Sequence, residues 1–252
     1  MSTPTDPFER LRRLTRARVA LGRAGDGLPT EALLAFQMAH AKARDAVHGR
    51  VNFDAVASAL APLESLGVKS GAVDRATYLR RPDLGRSLSP ATETLPEGPF
   101  DLVIVVADGL SSVAVEHFAA EVVTRLKSLL PDLALGPIVL AEQGRVAIGD
   151  EIGARMGAGL VLVLIGERPG LSSADSLGAY LTFAPKPGTR DSARNCVSNI
   201  HAHGLSPAAA ADKLTWLIRE ALRLKLTGVG LKEAAPGEML AAEQGRPMLD
   251  HG

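Results

Sequence analysis

Several residue types are scarce in this chain, and each scarcity excludes a class of protein. A single cysteine, Cys196, excludes an internal disulfide and a cysteine-based zinc cluster, and it fits a reducing compartment. Aromatic residues make up only 4% of the chain, so its core must be aliphatic. The longest apolar runs fall well short of the roughly 20 residues that a membrane helix needs. We therefore expect no membrane span.

An excess of charge of one sign is also missing. The chain has 28 basic and 28 acidic residues, whereas nucleic-acid-binding proteins usually carry a basic excess. No nucleic-acid partner is expected. Near the N-terminus, Asp6, Glu9 and several arginines interrupt any apolar core, so no secretory signal is predicted and a cytoplasmic location is expected. The composition, 46% hydrophobic and 22% charged, is typical of a globular protein that buries a core.

The N-terminal third is predicted to be helical. Residues 1–7 are expected to be disordered. A helix is predicted from about residue 30 to His48, with apolar residues at helical spacing, and a second from Phe53 to Leu66, ending at Gly67. The stretch before the first of these helices carries six arginines, at positions 10, 12, 13, 16, 18 and 23. They indicate either an anionic partner, such as a phosphate, or a solvated helix face or subunit contact.

From residue 101 onward, strands alternate with helices. Continuous apolar runs predict strands at 101–107, 136–141, 160–165 and 180–183, and the periodic segments 113–130, 148–156 and 206–224 predict helices. Alternation of this kind favours a parallel sheet. The predicted fold is therefore α/β: a Rossmann-like, mostly parallel sheet with flanking helices, preceded by a small helical N-terminal unit. The predicted divisions are a helical unit (1–67), a connecting region (68–100), the α/β domain (101–230) and a flexible tail (231–252).

Polar and glycine residues are concentrated between positions 165 and 204. In an open parallel sheet, ligands bind outside the carboxyl ends of the strands. Glu167 follows a strand directly, where its carboxylate suits either an amide donor of a ligand or a local ion pair or cap. Gly-Leu-Ser-Ser occurs twice, at 109–112 and 170–173. Its serines suit helix capping, and its glycines would let a flat ligand approach the backbone.

Motifs for several other sites are missing. The glycines at 153, 157 and 159 precede a strand, which is the reverse of the order in a dinucleotide fingerprint, and there is no Walker loop. His201 and His203 form a close pair without clustered carboxylates or cysteines, which indicates a loop feature more than a metal site. On its own, Cys196 is typical of a small buried hydrophobe. No metal site and no catalytic residue are assigned.

Three blocks in this region resemble a known family: Gly-Glu-Arg-Pro-Gly-Leu-Ser-Ser (166–173), Ser-Leu-Gly-Ala-Tyr (176–180) and Arg-Asn-Cys-Val-Ser-Asn-Ile (194–200). They resemble the small subunit of ethanolamine ammonia-lyase, an enzyme that uses adenosylcobalamin. Further blocks agree at 17–25, 81–86 and 108–111, so the resemblance covers roughly residues 10–230.

The resemblance implies a function and a set of cofactor contacts. The chain would be one half of a lyase that converts ethanolamine to acetaldehyde and ammonia, and a large subunit would carry the substrate and most catalytic groups. The family's cobalamin contacts fall on Val146, Glu167 and Cys196. No Asp-x-His-x-x-Gly string is present, so the cofactor would keep its own base on cobalt. The family also implies a bacterial microcompartment, against which the short N-terminal lead-in counts.

Two other functions remain open from the residues alone. One is a self-sufficient α/β enzyme that binds a phosphorylated or nucleotide ligand, although a phosphate loop and a set of nucleophile, base and acid are missing. The other is a scaffold that stabilises a partner, although the polar character of residues 165–204 is unusual for one.

Overall fold

The computed structural model describes residues 8–232. Their centre is one six-stranded sheet in the order β1-β3-β2-β4-β5-β6. The strands are β1 (Ser65–Lys69), β2 (Leu102–Ala107), β3 (Ile138–Glu142), β4 (Leu160–Gly166), β5 (Leu177–Phe183) and β6 (Arg194–Ile200). The first four in spatial order are parallel, and β5 and β6 are antiparallel to their neighbours. The predicted α/β class with a mostly parallel sheet is confirmed.

Helices flank both faces of this sheet. They are α1 (Glu9–Leu14), α2 (Thr30–His48), α3 (Phe53–Leu60), α4 (Arg75–Arg80), α5 (Ser112–Ala114), α6 (Ala120–Leu129), α7 (Ile148–Arg155) and α8 (Pro207–Leu224). A π-helical segment, Val115–Ala119, joins α5 to α6. Short 3-10 turns lie at Leu84–Arg86, Asp191–Ala193 and Gly228–Gly230. None of the helices between residues 8 and 232 has the length and hydropathy that crossing a bilayer requires.

The sequence explains why the central strands lie where they do. Every residue of β2 and β4 is buried, as expected for apolar runs covered on both faces. One face packs against α3, α6 and α8 through residues such as Val56, Leu126 and Leu214. The other packs mainly against α7, through Ile148 and Ile152. Burial of these side chains on both faces fixes the sheet and leaves the strand ends to form a site.

Two strands were not predicted. The helix expected to run from Phe53 to Leu66 ends at Leu60, and residues 65–69 instead pair in parallel with β3. Gly67 lies inside this strand, so its interpretation as a helix end is wrong. β6 was missed because its polar sequence contains no apolar run; only Arg194, Val197 and Ile200 of this strand are buried.

The boundaries predicted for the N-terminal part agree only in outline. α2 matches its predicted span, but it buries Ala46 alone. β1 crosses residue 67, and α4 and a 3-10 turn lie within the region expected to be a connection, 68–100. The division of the chain into four parts stays a prediction. Residues 1–7 and all of the predicted tail beyond residue 232 lie outside the described residues.

Candidate functional site

A groove opens at the carboxyl ends of β2 and β4. The chain passes from β2 to β3 on one side of β2 and then to β4 on the other, so β2 and β4 flank the point where the strand order reverses. Open α/β sheets bind their ligands at this position. The groove has a volume of about 770 Å³ and is lined by Pro82, Asp83, Arg86, Gly109, Leu110, Arg145, Val146, Ile165, Gly166, Glu167, Arg168 and Tyr180.

The floor of the groove is backbone packed on backbone. The amide of Leu110 donates to the carbonyl of Gly166 at 2.8 Å, which joins the exit of β2 to the end of β4. Gly109 has a φ of +56°, and a Cβ there would lie 2.3 Å from the Gly166 oxygen. Glycine is therefore required at position 109 by both its conformation and its contact. The glycine at position 109 therefore allows the loop to pack against the end of β4, and not, as predicted, against a flat ligand.

A buried carboxylate holds the loop that follows β3. Asp108 is 3% exposed and accepts from the backbone N–H groups of Gln143 and Gly144, each at 3.0 Å. Burial raises the pKa of Asp108 to about 6, and the Arg75 guanidinium and the neighbouring amides oppose that rise. Above that pH the carboxylate is charged and accepts both bonds, which fixes residues 143–146 beside the groove.

Tyr78 supports the same loop from below. Its hydroxyl donates to the Gly144 carbonyl at 2.9 Å. The guanidinium of Arg145 lies 4.3 Å from the centre of its ring and that of Arg75 lies 4.9 Å away, so two cations contact the ring. The amide of Arg145 donates to the Gly85 carbonyl at 2.7 Å. These contacts hold Arg145 and the half-buried Val146 at the wall of the groove.

Glu167 occupies the opposite wall, directly after β4. Its Oε2 atom accepts from the Ser176 hydroxyl and, at 3.2 Å, from the amide of Asn199. No hydrogen bond to Oε1 is found within residues 8–232, so this oxygen can accept one from a ligand. Of the two local roles predicted for Glu167, an ion pair with Arg168 is not found in these residues, whereas Oε2 does accept locally from a backbone amide, as a cap would. The carboxylate is therefore an oriented acceptor.

Cys196 lies one strand beyond the groove. It pairs across β5 and β6 with Tyr180, which lines the groove, so the two side chains are on one face of the sheet. Cys196 is exposed, and the interpretation of it as a small buried hydrophobe is wrong. Desolvation raises the pKa of its thiol; a hydrogen bond with the Tyr180 hydroxyl lowers it, and the charge of Glu167 raises it. The thiol is therefore neutral near pH 7, which suits a contact and not a nucleophile.

The structure thus places Val146 and Glu167 on two walls of one groove, and links Cys196 to it through Tyr180. Outside the polar segment 165–204, Ser111 caps α5 by accepting from the Ala114 amide, as predicted, and it donates to the carbonyl of Ala174 inside that segment. His201, directly after β6, contacts Asn199 of that strand and accepts from the amide of His203. Among residues 8–232 no group of His, Cys, Asp and Glu is arranged to hold a metal ion.

Sequence reasoning missed four residues that shape this site: Tyr78, Asp108, Arg145 and Tyr180. The chain has only two tyrosines; Tyr180 lines the groove, and the buried Tyr78 holds the loop that forms its wall. In a chain this poor in aromatic residues, that scarcity was a usable signal. Asp108 directly follows a fully apolar strand, which is another position where a charged residue needs an explanation.

The chain was compared with known proteins. A family model described as Ethanolamine ammonia-lyase light chain matches residues 5–232. A protein of Pseudomonas fluorescens (strain Pf0-1) named ethanolamine ammonia-lyase small subunit is 52% identical over 97% of this chain and 93% of its own length. The protein of that name from Azotobacter vinelandii is 54% identical over 91% of this chain and 89% of its own length. The one from Bradyrhizobium diazoefficiens is 53% identical, over 92% of each chain.

Proposed function

The chain belongs to the ethanolamine ammonia-lyase light-chain family, and we propose that its groove forms one wall of an adenosylcobalamin site. In this proposal a large subunit closes the opposite side and carries the substrate, and the assembled enzyme converts ethanolamine to acetaldehyde and ammonia. The chain alone would then be inactive. A cytoplasmic location and an association with a microcompartment stay predictions.

The observation that carries the proposal is the position of Val146 and Glu167 in one open groove, with Cys196 next to it on β6, opposite the groove residue Tyr180. A corrin ring is broad and fringed with amide groups, so its binding calls for hydrogen-bond acceptors, donors and flat apolar surface. Glu167 supplies an acceptor through its free Oε1. Val146 and Tyr180 supply apolar surface, since both pack against the buried cluster on the α7 face. Cys196 extends this surface to β6.

An unsatisfied buried donor also supports a ligand in this groove. The Nε atom of Arg145 is buried and has no hydrogen-bond partner in the described part of the chain, and Arg145 lines the groove. A buried donor without an acceptor costs about 1–3 kcal/mol. A carbonyl of a ligand amide is an acceptor of the kind that this position lacks. The residues present therefore fit a ligand edged with amides.

In this proposal the residues of this chain bind and orient the ligand, and none between 8 and 232 is assigned as an acid, a base or a nucleophile. When bound, adenosylcobalamin would supply radical chemistry through cleavage of its cobalt–carbon bond. Glu167 would hold one amide group of the ligand, and the Asp108 and Tyr78 contacts would keep Val146 and Arg145 in place. The apolar wall, together with the large subunit, would exclude water from the reacting centre.

The alternative of a phosphorylated or nucleotide ligand finds no support in the loop after β2. Phosphates bind where backbone N–H groups are free and carboxylates are absent. Here the Leu110 amide is bonded to Gly166, and the buried carboxylate of Asp108 lies at the strand exit. The loop after β2 therefore offers no cradle of free backbone N–H groups for a phosphate.

The single cysteine of the chain gives a direct test. We expect alkylation of the exposed Cys196 by iodoacetamide, followed by mass spectrometry, to slow when adenosylcobalamin is added to the complex with the large subunit. The complex without cofactor is the reference, because it shows the effect of the large subunit alone. Ammonia release from ethanolamine, measured in parallel, should require both subunits and the cofactor. An alkylation rate unchanged by cofactor in an active complex would overturn the proposed site.

A further inference from the structure

Helix α2 turns its small residues toward the protein and exposes most of its large apolar residues, which is unusual for a helix of a monomer. Its small residues face the protein: Ala32, Ala39 and Ala43 are half-buried and Ala46 is buried. Its larger apolar residues are 41% exposed at Leu33, 58% at Leu34, 38% at Phe36 and 59% at Met38. Leu33, Leu34 and Met38 point away from the alanine face, whereas Phe36 lies beside it under the Arg18 guanidinium. Burying a side chain such as leucine or methionine is worth roughly 1.5–3 kcal/mol, and this helix forgoes most of that gain within its own chain.

The arm that precedes α2, residues 8–29, continues this exposed surface. Its apolar residues Phe8, Leu11, Leu14 and Leu28 are 45–77% exposed. They alternate with the six arginines noted above, whereas the acidic residues of the arm are Glu9 and Asp26. The arm and the outer face of α2 together are called the α2 surface here. It is apolar along its length and basic at its arm.

The α2 surface adjoins the groove. Arg18 donates to the carbonyl of Leu171 at 3.3 Å, and its guanidinium lies 5.8 Å from the centre of the Phe36 ring. Leu171 belongs to the loop that begins at Arg168 on the rim of the groove. At the other end of α2, the Val47 carbonyl accepts from Arg75 at 2.9 Å, beside Asp108. The groove and the α2 surface are therefore adjacent, and a single partner is able to cover both.

We propose that the α2 surface is a docking site for the large subunit, which would cover it with an apolar patch edged by acidic residues. This inference rests on the proposed function, because it takes the large subunit as the partner that closes the groove. Exposed apolar patches of this extent mark interaction sites. Charge favours this occupant over a second copy of the chain, because two α2 surfaces in contact would bring two arginine-rich arms together.

The test is the affinity of the full-length chain for the large subunit, measured by analytical ultracentrifugation. The double variant Leu34→Ser/Met38→Ser removes two exposed side chains on one face of α2. We expect its dissociation constant to rise roughly 10- to 100-fold, since central apolar contacts dominate interfaces. The control is Val229→Ser, which changes a residue that is 76% exposed and lies next to the amino end of β6. It should leave the dissociation constant unchanged, and thermal unfolding should be the same for all three chains.

Charge provides a second readout. Arg10→Glu/Arg16→Glu should weaken assembly more at low salt than at high salt. The two new carboxylates would repel the acidic groups of the partner, and salt screens that repulsion. Unchanged affinity of Leu34→Ser/Met38→Ser overturns the inference while leaving the proposed function intact. A second result also overturns the inference: Leu34→Ser/Met38→Ser binds the large subunit normally but loses self-association, or loses binding to anionic lipid vesicles, that the unmodified chain and Val229→Ser both show. Failure of the unmodified chain to bind the large subunit would instead contradict the proposed function itself.

Discussion

At the scale of single residues, Cys196 shows how neighbours decide the character of a side chain. The same residue type reads as a buried hydrophobe in the sequence, yet here it lies exposed on an edge strand opposite Tyr180. Desolvation is the main cause of the raised pKa of its thiol, and two neighbours modify it in opposite directions. The Tyr180 hydroxyl favours the thiolate, and the Glu167 carboxylate disfavours it. The thiol is therefore neutral near pH 7.

We predict that the pH dependence of Cys196 alkylation reports these two neighbours. An ordinary thiol has a pKa of about 8.5. The midpoint for the unmodified chain should lie above that value, because the pKa of Cys196 is raised. Glu167→Gln should move the midpoint down, since it removes a negative charge. Tyr180→Phe should move it up, since it removes a donor to the thiolate. Rates of iodoacetamide reaction between pH 6 and 10 measure all three midpoints, and shifts of equal sign in both variants would contradict the arrangement.

Only some of the site residues could be predicted from the sequence itself. Glu167 could be proposed from its position after a strand, because the exits of parallel strands are where ligands bind. Val146 could not, since a valine before a helix has no distinguishing chemistry; it was identified through the family resemblance alone. The roles of Tyr78 and Asp108 depend on contacts between segments far apart in the chain, such as Tyr78 with Gly144. Neither composition nor spacing encodes such contacts.

At the scale of elements, the site depends on how closely the exits of β2 and β4 approach. Gly109 meets the Gly166 carbonyl, and a Cβ at Gly166 would in turn lie 2.2 Å from the Ser111 carbonyl. Both neighbours are backbone atoms, which cannot rotate away as side-chain atoms can. The two loops therefore fit each other only with glycine at both positions.

Gly109→Ala tests this contact, and Gly25→Ala is its matched control. Both glycines have a positive φ, +56° and +62°, but a Cβ at Gly25 would meet no atom within 4 Å. Alanine in this conformation costs roughly 1–2 kcal/mol in both cases. We expect Gly109→Ala to lose more than about 3 kcal/mol of unfolding free energy, because the steric overlap adds to that cost. Urea unfolding of both variants measures the difference, and equal losses would show that the contact is not tight.

Prediction of the elements succeeded where one physical signal was strong. β2 and β4 are fully buried, so their apolar runs are unmistakable, and α8 carries both its serine cap and its first-turn proline. β1 and β6 lie at the two edges of the sheet, where fewer residues are buried. An edge strand needs fewer apolar residues than a central one. Its sequence is therefore closer to that of a loop, and a glycine such as Gly67 is easily taken for a helix end.

At the scale of the whole molecule, the two edges of the sheet differ in character. The carboxyl edge holds the groove, the Asp108 and Tyr78 contacts, and the approach to the α2 surface. The amino edge is held by backbone hydrogen bonds: the amide of Asp101 donates to the Ala134 carbonyl, and the amide of Leu160 in β4 donates to the Asp101 carbonyl, each at 2.9 Å. The proposed function is therefore expected at the carboxyl edge.

Amide hydrogen exchange of the full chain, read by mass spectrometry, tests this division. The large subunit together with adenosylcobalamin should slow exchange at 82–86, 108–111, 143–147 and 166–170, because these segments line the groove. The large subunit without cofactor should protect α2 and the arm but give less protection at these four segments. Exchange at 97–101, 134–138 and 157–160, on the amino edge, should stay the same in all three states. Protection confined to the amino edge would place the partner on the wrong side of the sheet for both proposals.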